Sequence, residues 1–289
     1  MLPHTRDLSA PHDGATAFAE SAERHPAGAS FRRLSSLEDF QACVALQKEV
    51  WGDAFTDSVP ASILQVASHI GGVILGAFHG DLLIGFVFGM TGVRDGEIVH
   101  WSHMLGVRTA AREHGIGRQL KELQRAELAR HGIAREFWTF DPLQARNAHL
   151  NVNRLGVRVT DYAVNMYGST DSPLHLGMAT DRLIVELDTA AAPRGVPDGV
   201  VAPAARLPVL SPATRPEDPH VDGERPPRAL IEIPWDLQNG GMTPEALLRW
   251  RMATREHFQW SFLHGYRVTA LHRDRAASRA FYLIERGRD

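Results

Sequence analysis

The stretch that most constrains this chain is HWSHMLGVRTAAREHGIGRQLKELQRAELARH, residues 100–131. It opens as an extended apolar run and closes as an amphipathic helix. Arg112-Glu113-His114-Gly115-Ile116-Gly117 lies between the two. Ile116, Leu120 and Leu123 begin a helical stripe, so Gly115 and Gly117 stand at a strand-to-helix junction. Glycines there let the main chain come close to a bound group. The first amides of a helix have no intrahelical partner, and its dipole favours negative charge at that end. The stretch is built to hold an anion, most often a phosphate, on backbone N–H groups.

The spacing narrows the choice of phosphate ligand. A dinucleotide fingerprint needs G-x-G-x-x-G, and only G-x-G is present. A Walker loop needs Gly-Lys-Ser/Thr, and Gly117 is followed by Arg118-Gln119. The run from Val107 through Arg108-Thr109-Ala110-Ala111 to Arg112, Gly115 and Gly117 resembles the V-x-P-x-x-R-g-x-G-[IL]-G signature of the GNAT superfamily of acyl-CoA N-acyltransferases. Thr109 replaces the usual proline and Glu113 the usual small residue. Neither change removes a backbone donor. The resemblance implies that the anion is the pyrophosphate of coenzyme A, bound around Arg112, His114, Gly115, Ile116, Gly117 and Arg118. It also implies that acetyl-CoA or another acyl-CoA is the co-substrate.

Composition fits a soluble globular protein: 44% hydrophobic and 22% charged residues in a chain of 289. A net charge of −3 gives no basic field for nucleic acid. No apolar run approaches the ~20 residues that span a bilayer. Residues 1–30 read as a polar, disordered tail without a signal-peptide core. Cys43 is the only cysteine, so no intrachain disulfide forms and a reducing cytoplasm fits. Cys43 falls on the apolar face of a predicted helix, a core position. The histidines form no H-x-x-x-H pair, and no metal is expected.

The element pattern is strand, helix, helix, two strands with a turn at His79-Gly80-Asp81, and the strand Glu97 to Val107. The glycine loop and its helix come next, then the strand Glu136 to Phe140, a helix from Gln144 to Leu155 capped by Gly156, and further strands. This reads as α/β with a mixed, partly antiparallel sheet. It matches the GNAT order over residues 31–188. Residues 189–228 are dense in proline and lack periodicity, so they read as a linker and a boundary. Residues 229–289 read as a C-terminal α/β extension: a strand, a helix opened by Thr243-Pro244 and closed by Gly265, and a hairpin. Gly156-Val157-Arg158-Val159-Thr160 and Gly265-Tyr266-Arg267-Val268-Thr269 share G-x-R-V-T, which points to a repeat of the second half of the fold. In that alignment Phe140-Asp141-Pro142 faces Pro234-Trp235-Asp236. A unit this small with so much apolar surface must dock, either within its own chain or across a homodimer.

By the same resemblance the acyl-pantetheine arm lies where the strand before the loop splays from its neighbour. The backbone amide near Leu105, with Val107 next along, meets the thioester carbonyl, an oxyanion-type donor. Asn147 occupies the place of a pantetheine-contacting asparagine; on spacing alone it is equally a solvated polar position. An acceptor amine must lose its proton, and Glu97, His100 and His103 are candidate bases on the strand. Alternation puts His103 on the face of Trp101 and Leu105, and the unperturbed imidazole pKa near 6.5 suits proton uptake at neutral pH. Many such enzymes use a tyrosine as the acid for the leaving thiolate. Val152 stands at that place, and Tyr162 and Tyr167 are the nearby alternatives. The expected activity is transfer of an acetyl or larger acyl group to the amine of a small molecule or amino acid, without nucleic acid or membrane. The competing expectation is a catalytically silent acyl-CoA-binding sensor or scaffold.

Overall fold

The computed structural model describes residues 28–53, 55–168, 177–191, 195–196, 207–214, 225–237 and 241–287. Residues 1–27 of the expected tail and much of the expected linker lie outside these residues; the tail expected over residues 1–30 ends earlier than read, because Ala29 is buried and Ser30 already pairs in the first strand. The chain divides into two compact units, one of residues up to 50, 58–91 and 102–127, the other of 51–57, 92–101 and 128 onward.

The first unit takes β1 (Ser30–Arg33), α1 (Leu37–Trp51), α2 (Ala61–His69), β2 (Val73–His79) and most of β3 (Leu82–Arg94). The later half of β4 (Glu97–Val107) and most of α3 (Ile116–Arg130) complete it. Its sheet order is β1-β2-β3-β4, with β1, β2 and β3 antiparallel. Asp95 and Gly96 both take positive φ, 54° and 81°, the turn chemistry of a tight hairpin between β3 and β4. The start of α1 is capped reciprocally: the Asp39 N–H donates to Ser36 Oγ and the Ser35 N–H donates to Asp39 Oδ2. Phe40, Leu46, Leu64, Ile74, Phe86, Phe88 and Leu120 are buried in this unit.

Helix α3 departs from its predicted stripe. Ile116 and Leu120 are buried, but the next buried positions are Lys121, Gln124 and Glu127. These polar groups are bonded: Ser102 Oγ and Lys121 Nζ donate to Gln124 Oε1, at 2.8 and 3.0 Å, and Arg33 pairs with Glu127 at 2.6 Å. A buried polar group is tolerated when it is paired in this way.

The second unit carries the order β4-β5-β7-β6 through β5 (Arg135–Phe140), β6 (Arg158–Ala163) and β7 (Arg182–Asp188). A separate sheet has the order β8-β9-β11-β10, from β8 (Val209–Leu210), β9 (Arg228–Pro234), β10 (Tyr266–Asp274) and β11 (Arg279–Arg286). In both, the first pair is parallel and the other two are antiparallel. In both, the register slips by one residue at the threonine of G-x-R-V-T, between Val159 and Asp161 and between Val268 and Ala270. The preceding glycines, Gly156 and Gly265, both close a helix with left-handed φ of 68° and 77°.

Strand β8 corrects the reading of residues 189–228 as structureless. It is two residues long and set among prolines, so no period betrays it. Its backbone completes the outer edge of β9, the Leu230 N–H reaching Pro208 O at 2.9 Å, and Leu210 is fully buried. The expected boundary at residues 189–228 is also not a break between cores. Trp138, Phe140, Val152, Leu183 and Val185 share one cluster with Leu210, Ile231, Phe258, Tyr282 and Ile284.

Two helices join the sheets. α5 (Pro244–Leu263) is capped by Thr243 Oγ1, which accepts the Ala246 N–H, with Pro244 in the first turn as expected. The helix predicted from Gln144 to Leu155 is α-helical only over α4 (Ala145–Ala148) and continues as π-helix through His149–Leu155. The π-wound turn is held by tertiary bonds. Asn153 donates to Leu271 O and accepts the Leu271 N–H, both at 2.8 Å, tying this turn to β10.

His257 on α5 is 1% exposed, with Nε2 3.2 Å from Thr214 O. Burial holds its pKa below the ordinary 6.5. The folded chain therefore binds fewer protons here than the unfolded chain once pH falls below about 6.5. Stability should decline as pH drops from 6.5 toward the folded pKa, and urea titrations across pH 7 to 5 should show a shallower decline in His257→Gln.

Candidate functional site

Strand β4 alternates as predicted. His100, Ser102, Met104 and Gly106 are buried, and Trp101, His103, Leu105 and Val107 are half-buried on the opposite face. His103 meets the edge of Phe88, ring centroids 6.1 Å apart at 88°. The ladder of β4 with β5 runs from Val99 with Arg135 to Trp101 with Phe137, and β4 continues to Val107.

The loop after β4 is anchored at its base. The Arg108 N–H donates to Ile84 O at 2.9 Å, Nε donates to Leu83 O at 2.8 Å, and the guanidinium pairs with Glu49. A short turn over Thr109–Ala111 leads to Arg112 in extended conformation. Glu113 and Gly115 then both take left-handed φ, 69° and 77°. Arg112 Nε reaches back to Val107 O at 3.2 Å, and His114 Nδ1 lies 2.8 Å from Arg112 O. The Gln119 N–H makes a helical bond to Gly115 O at 3.0 Å, so the amides of Ile116, Gly117 and Arg118 precede it. Left-handed residues alternating with ordinary ones turn successive N–H groups toward a common concavity, an anion cradle.

The first turn of α3 packs closely on the strands beneath it. A Cβ at Gly85 of β3 would stand 3.0 Å from Ile116 Cγ2 and 3.4 Å from Leu120 Cδ1. Glycine there lets the first turn of α3 lie directly on the strand. A Cβ at Gly117 would stand 3.6 Å from Leu105 and 3.8 Å from Val107, over the half-buried face of β4. Arg112, His114 and Gly115 are exposed around the cradle, and Ile116 is buried beneath it. Arg118 pairs along the helix with Glu122 at 2.7 Å, an exposed contact of small energy that leaves the side chain available to an anion.

The remaining predicted residues are dispersed. Glu97 is exposed and ion-paired with Arg135 at 3.0 Å. Tyr162 is buried, stacks on Phe258 at 5.6 Å and donates its hydroxyl to Asp181 at 2.8 Å. Burial, then the neighbouring Asp181 charge, raise its pKa, so this phenol is a poor acid. Val152 is buried and has no proton to give. Tyr167 is exposed, its hydroxyl 3.1 Å from Thr139 Oγ1. Asn147 is exposed on α4. Among the described residues no three metal-ligating side chains converge, and no helix is long and apolar enough to cross a membrane.

No family model matches the sequence, and no curated protein matches it. Similar solved structures are acetyltransferases. The ribosomal-protein-S18-alanine N-acetyltransferase of Escherichia coli is 17% identical with a TM-score of 0.45, covering 58% of this chain and 99% of that one. An acetyltransferase of the GNAT family from Streptococcus pneumoniae is 14% identical with a TM-score of 0.45, covering 55% and 99%. A chain of the NatC complex bound to Gag peptide and CoA is 14% identical with a TM-score of 0.45, covering 55% and 98%.

Sequence reading missed a polar network in the second unit. Arg251 donates twice to Asp141, at 2.9 and 2.7 Å, and Arg182 stands 3.7 Å from the same carboxylate. Arg255 donates twice to Asp181, which also accepts the Asn165 N–H. Burial works against the Asp181 charge, but these donors outweigh it and lower its pKa. The signal was an arginine within the buried stripe Leu247, Arg251, Thr254, Phe258 of α5.

Glu113 bears the steric cost of left-handed φ that a glycine avoids, about 1–2 kcal/mol, against about 0.5–1 kcal/mol of extra chain entropy for glycine. Glu113→Gly should raise stability by about 0.5–1 kcal/mol, read as a higher urea midpoint at unchanged slope.

Proposed function

We propose that this chain is an N-acyltransferase of the GNAT type, moving an acetyl or larger acyl group from acyl-CoA to the amine of a small molecule or amino acid. The observation that carries the reading is the anion cradle between β4 and α3. Within the R-x-x-G-x-G run formed by Arg112, Gly115 and Gly117, its left-handed residues are Glu113, at the first variable position, and Gly115, at the first glycine. A backbone cradle recognises a phosphate by geometry, so substituting Thr109 and Glu113 within the signature leaves its donors in place.

In this reading the pyrophosphate of CoA lies on the first amides of α3, and β4 offers Leu105 for the acyl carbonyl. His103 is favoured over Glu97 as the base. It shares the half-buried face of Leu105, whereas Glu97 is exposed and engaged in an ion pair with Arg135. Positioned bases contribute about 10²–10⁴-fold. A second reading, an acyl-CoA-binding sensor without turnover, draws support from Val152 in place of an acid and from the Tyr162 hydroxyl engaged by Asp181. Acyl-CoA turnover with a panel of small amines and amino acids separates the two.

Two outcomes are expected. CoA at a hundred times its Kd should stabilise the protein by about 2.7 kcal/mol. Gly117→Val is expected to fold, since a Cβ there would meet its neighbours only at ordinary distances of 3.6 and 3.8 Å, and its far-UV CD checks this. It should nevertheless abolish the thermal shift by filling the main-chain approach. A full shift in that variant overturns the pyrophosphate assignment. His103→Ala should lower kcat about 10²–10⁴-fold with CoA affinity unchanged; an unaltered rate assigns proton removal to Glu97 or water.

A further inference from the structure

The second sheet also opens at the carboxyl ends of a parallel pair. β8 and β9 pair at Val209 with Leu230 and Leu210 with Ile231, and β9 runs on to Pro234. Pro212 has no N–H to continue the ladder, so the two strands part there. The ladder of β4 with β5 likewise ends while β4 continues, and α5 follows β9 as α4 follows β5. In open α/β sheets, ligands settle outside the carboxyl ends of the strands. A depression of about 240 Å³ lies at this point of the second sheet, lined by Ser211, Pro212 and Ala213, by Glu232 of β9, and by Ala246, Arg249 and Trp250 of α5.

Its chemistry is not that of the anion cradle. The loop amides are already engaged: the Ser211 N–H donates to Thr214 Oγ1 at 2.7 Å, the Ala213 N–H to Ser211 Oγ at 3.3 Å, and the Thr214 N–H to Ser211 O at 2.9 Å. This loop therefore offers no amide to a phosphate, and the depression is not a second coenzyme site. His257 Nε2, 3.2 Å from Thr214 O, ties the loop to α5. The Glu232 carboxylate accepts from Arg279 Nε and Nη2 at 2.8 and 2.9 Å, which answers its charge. Glu245, one turn before Arg249, attracts that guanidinium but makes its hydrogen bonds with Thr243 and its own N–H. Arg249 is exposed and Trp250 half-buried, and among the described residues neither the guanidinium nor the indole N–H has a hydrogen-bond partner. A guanidinium takes a carboxylate through two parallel bonds, and an indole ring takes a flat apolar body.

We propose that this depression binds a small organic carboxylate, whose charged end meets Arg249 and whose apolar body lies against Trp250. Sites for drug-sized ligands occupy about 300–1,000 Å³, so this smaller one takes an acid of a single ring. The inference stands apart from the acyl-CoA reading, since no residue of the cradle takes part in it.

The test is a ligand-observed NMR titration of the full chain with benzoate, benzamide and inorganic phosphate. Benzoate should bind, benzamide about tenfold more weakly because it lacks the charge, and phosphate not measurably because it lacks the ring. Arg249→Gln, a substitution at an exposed position, should weaken benzoate about tenfold. Ala246→Leu keeps a good helix former and fills the depression, so it should abolish binding. Gly117→Val should leave benzoate affinity unchanged, so that failure of the coenzyme reading and failure of this one are told apart. Absence of benzoate binding, equal binding of benzamide or of phosphate, an affinity indifferent to either Arg249→Gln or Ala246→Leu, or loss of benzoate binding in Gly117→Val overturns the site.

Discussion

The buried pair of Asp141 and Arg251 organises the second unit. Asp141 follows the last residue of β5 and is 6% exposed, and Arg251 is 1% exposed. A carboxylate so placed must be matched, since removing one partner of a buried pair costs about 3–5 kcal/mol. Arg251 supplies two charge-assisted bonds, while the Leu143 N–H donates to the same carboxylate. This sets the rotational phase of α5. With Arg251 facing inward, Leu247, Thr254 and Phe258 fall on the same side. Phe258 then stacks on Tyr162 of β6 and meets Tyr282 of β11 edge-on at 5.1 Å. The Tyr282 hydroxyl donates back to Pro142 O, one residue from Asp141. Sheet and helix thus share one ion-paired polar centre inside an apolar core, in which only the Arg251 Nε lacks a hydrogen bond among the guanidinium nitrogens.

Local patterns in the sequence were sufficient for the elements whose causes are local. Thr243-Pro244 starts α5, Gly156 and Gly265 close their helices, and period-two alternation assigns the two faces of β4. The cradle belongs to the same class, because a strand, two glycines and a helical stripe are contiguous. Features that depend on distant partners were not legible. The π-winding after Ala148 is tied to Leu271 far along the chain. β8 exists because β9 has an edge to fill. The apolar face of the C-terminal helix announced that something must cover it, but no pattern named Tyr162 and the strands before residue 188 as the cover. The polar lower half of α3 reads as solvent-facing until Ser102 and Arg33 are seen against it.

The repeat shows the same division. G-x-R-V-T aligned the two units correctly at the hairpin, where backbone need dictates the residues. At the preceding strand ends it misled. Ladder positions make Leu183 of β7 the counterpart of Tyr282 in β11, since they pair with Tyr162 and Leu271 respectively. Their other partners are Phe140 and Ile231. Ile231, and not Pro234, is therefore the structural equivalent of Phe140. The similarity of Asp141-Pro142 to the Pro234-Trp235-Asp236 run is a coincidence of turn-forming residues.

Carrying one strand plan twice also has a kinetic side. β7 and β11 present the same slipped register to a hairpin partner, so an unfolded chain holds two candidate partners for each. Loop closure decides which pairing forms early. β10 and β11 are joined by a short turn with Ser278 in left-handed conformation, whereas β6 and β7 are separated by the longer segment from 164 to 181. Short closures cost less entropy and form faster. On that ground the C-terminal hairpin is expected to close ahead of its counterpart and so to withdraw β11 from competition for β6.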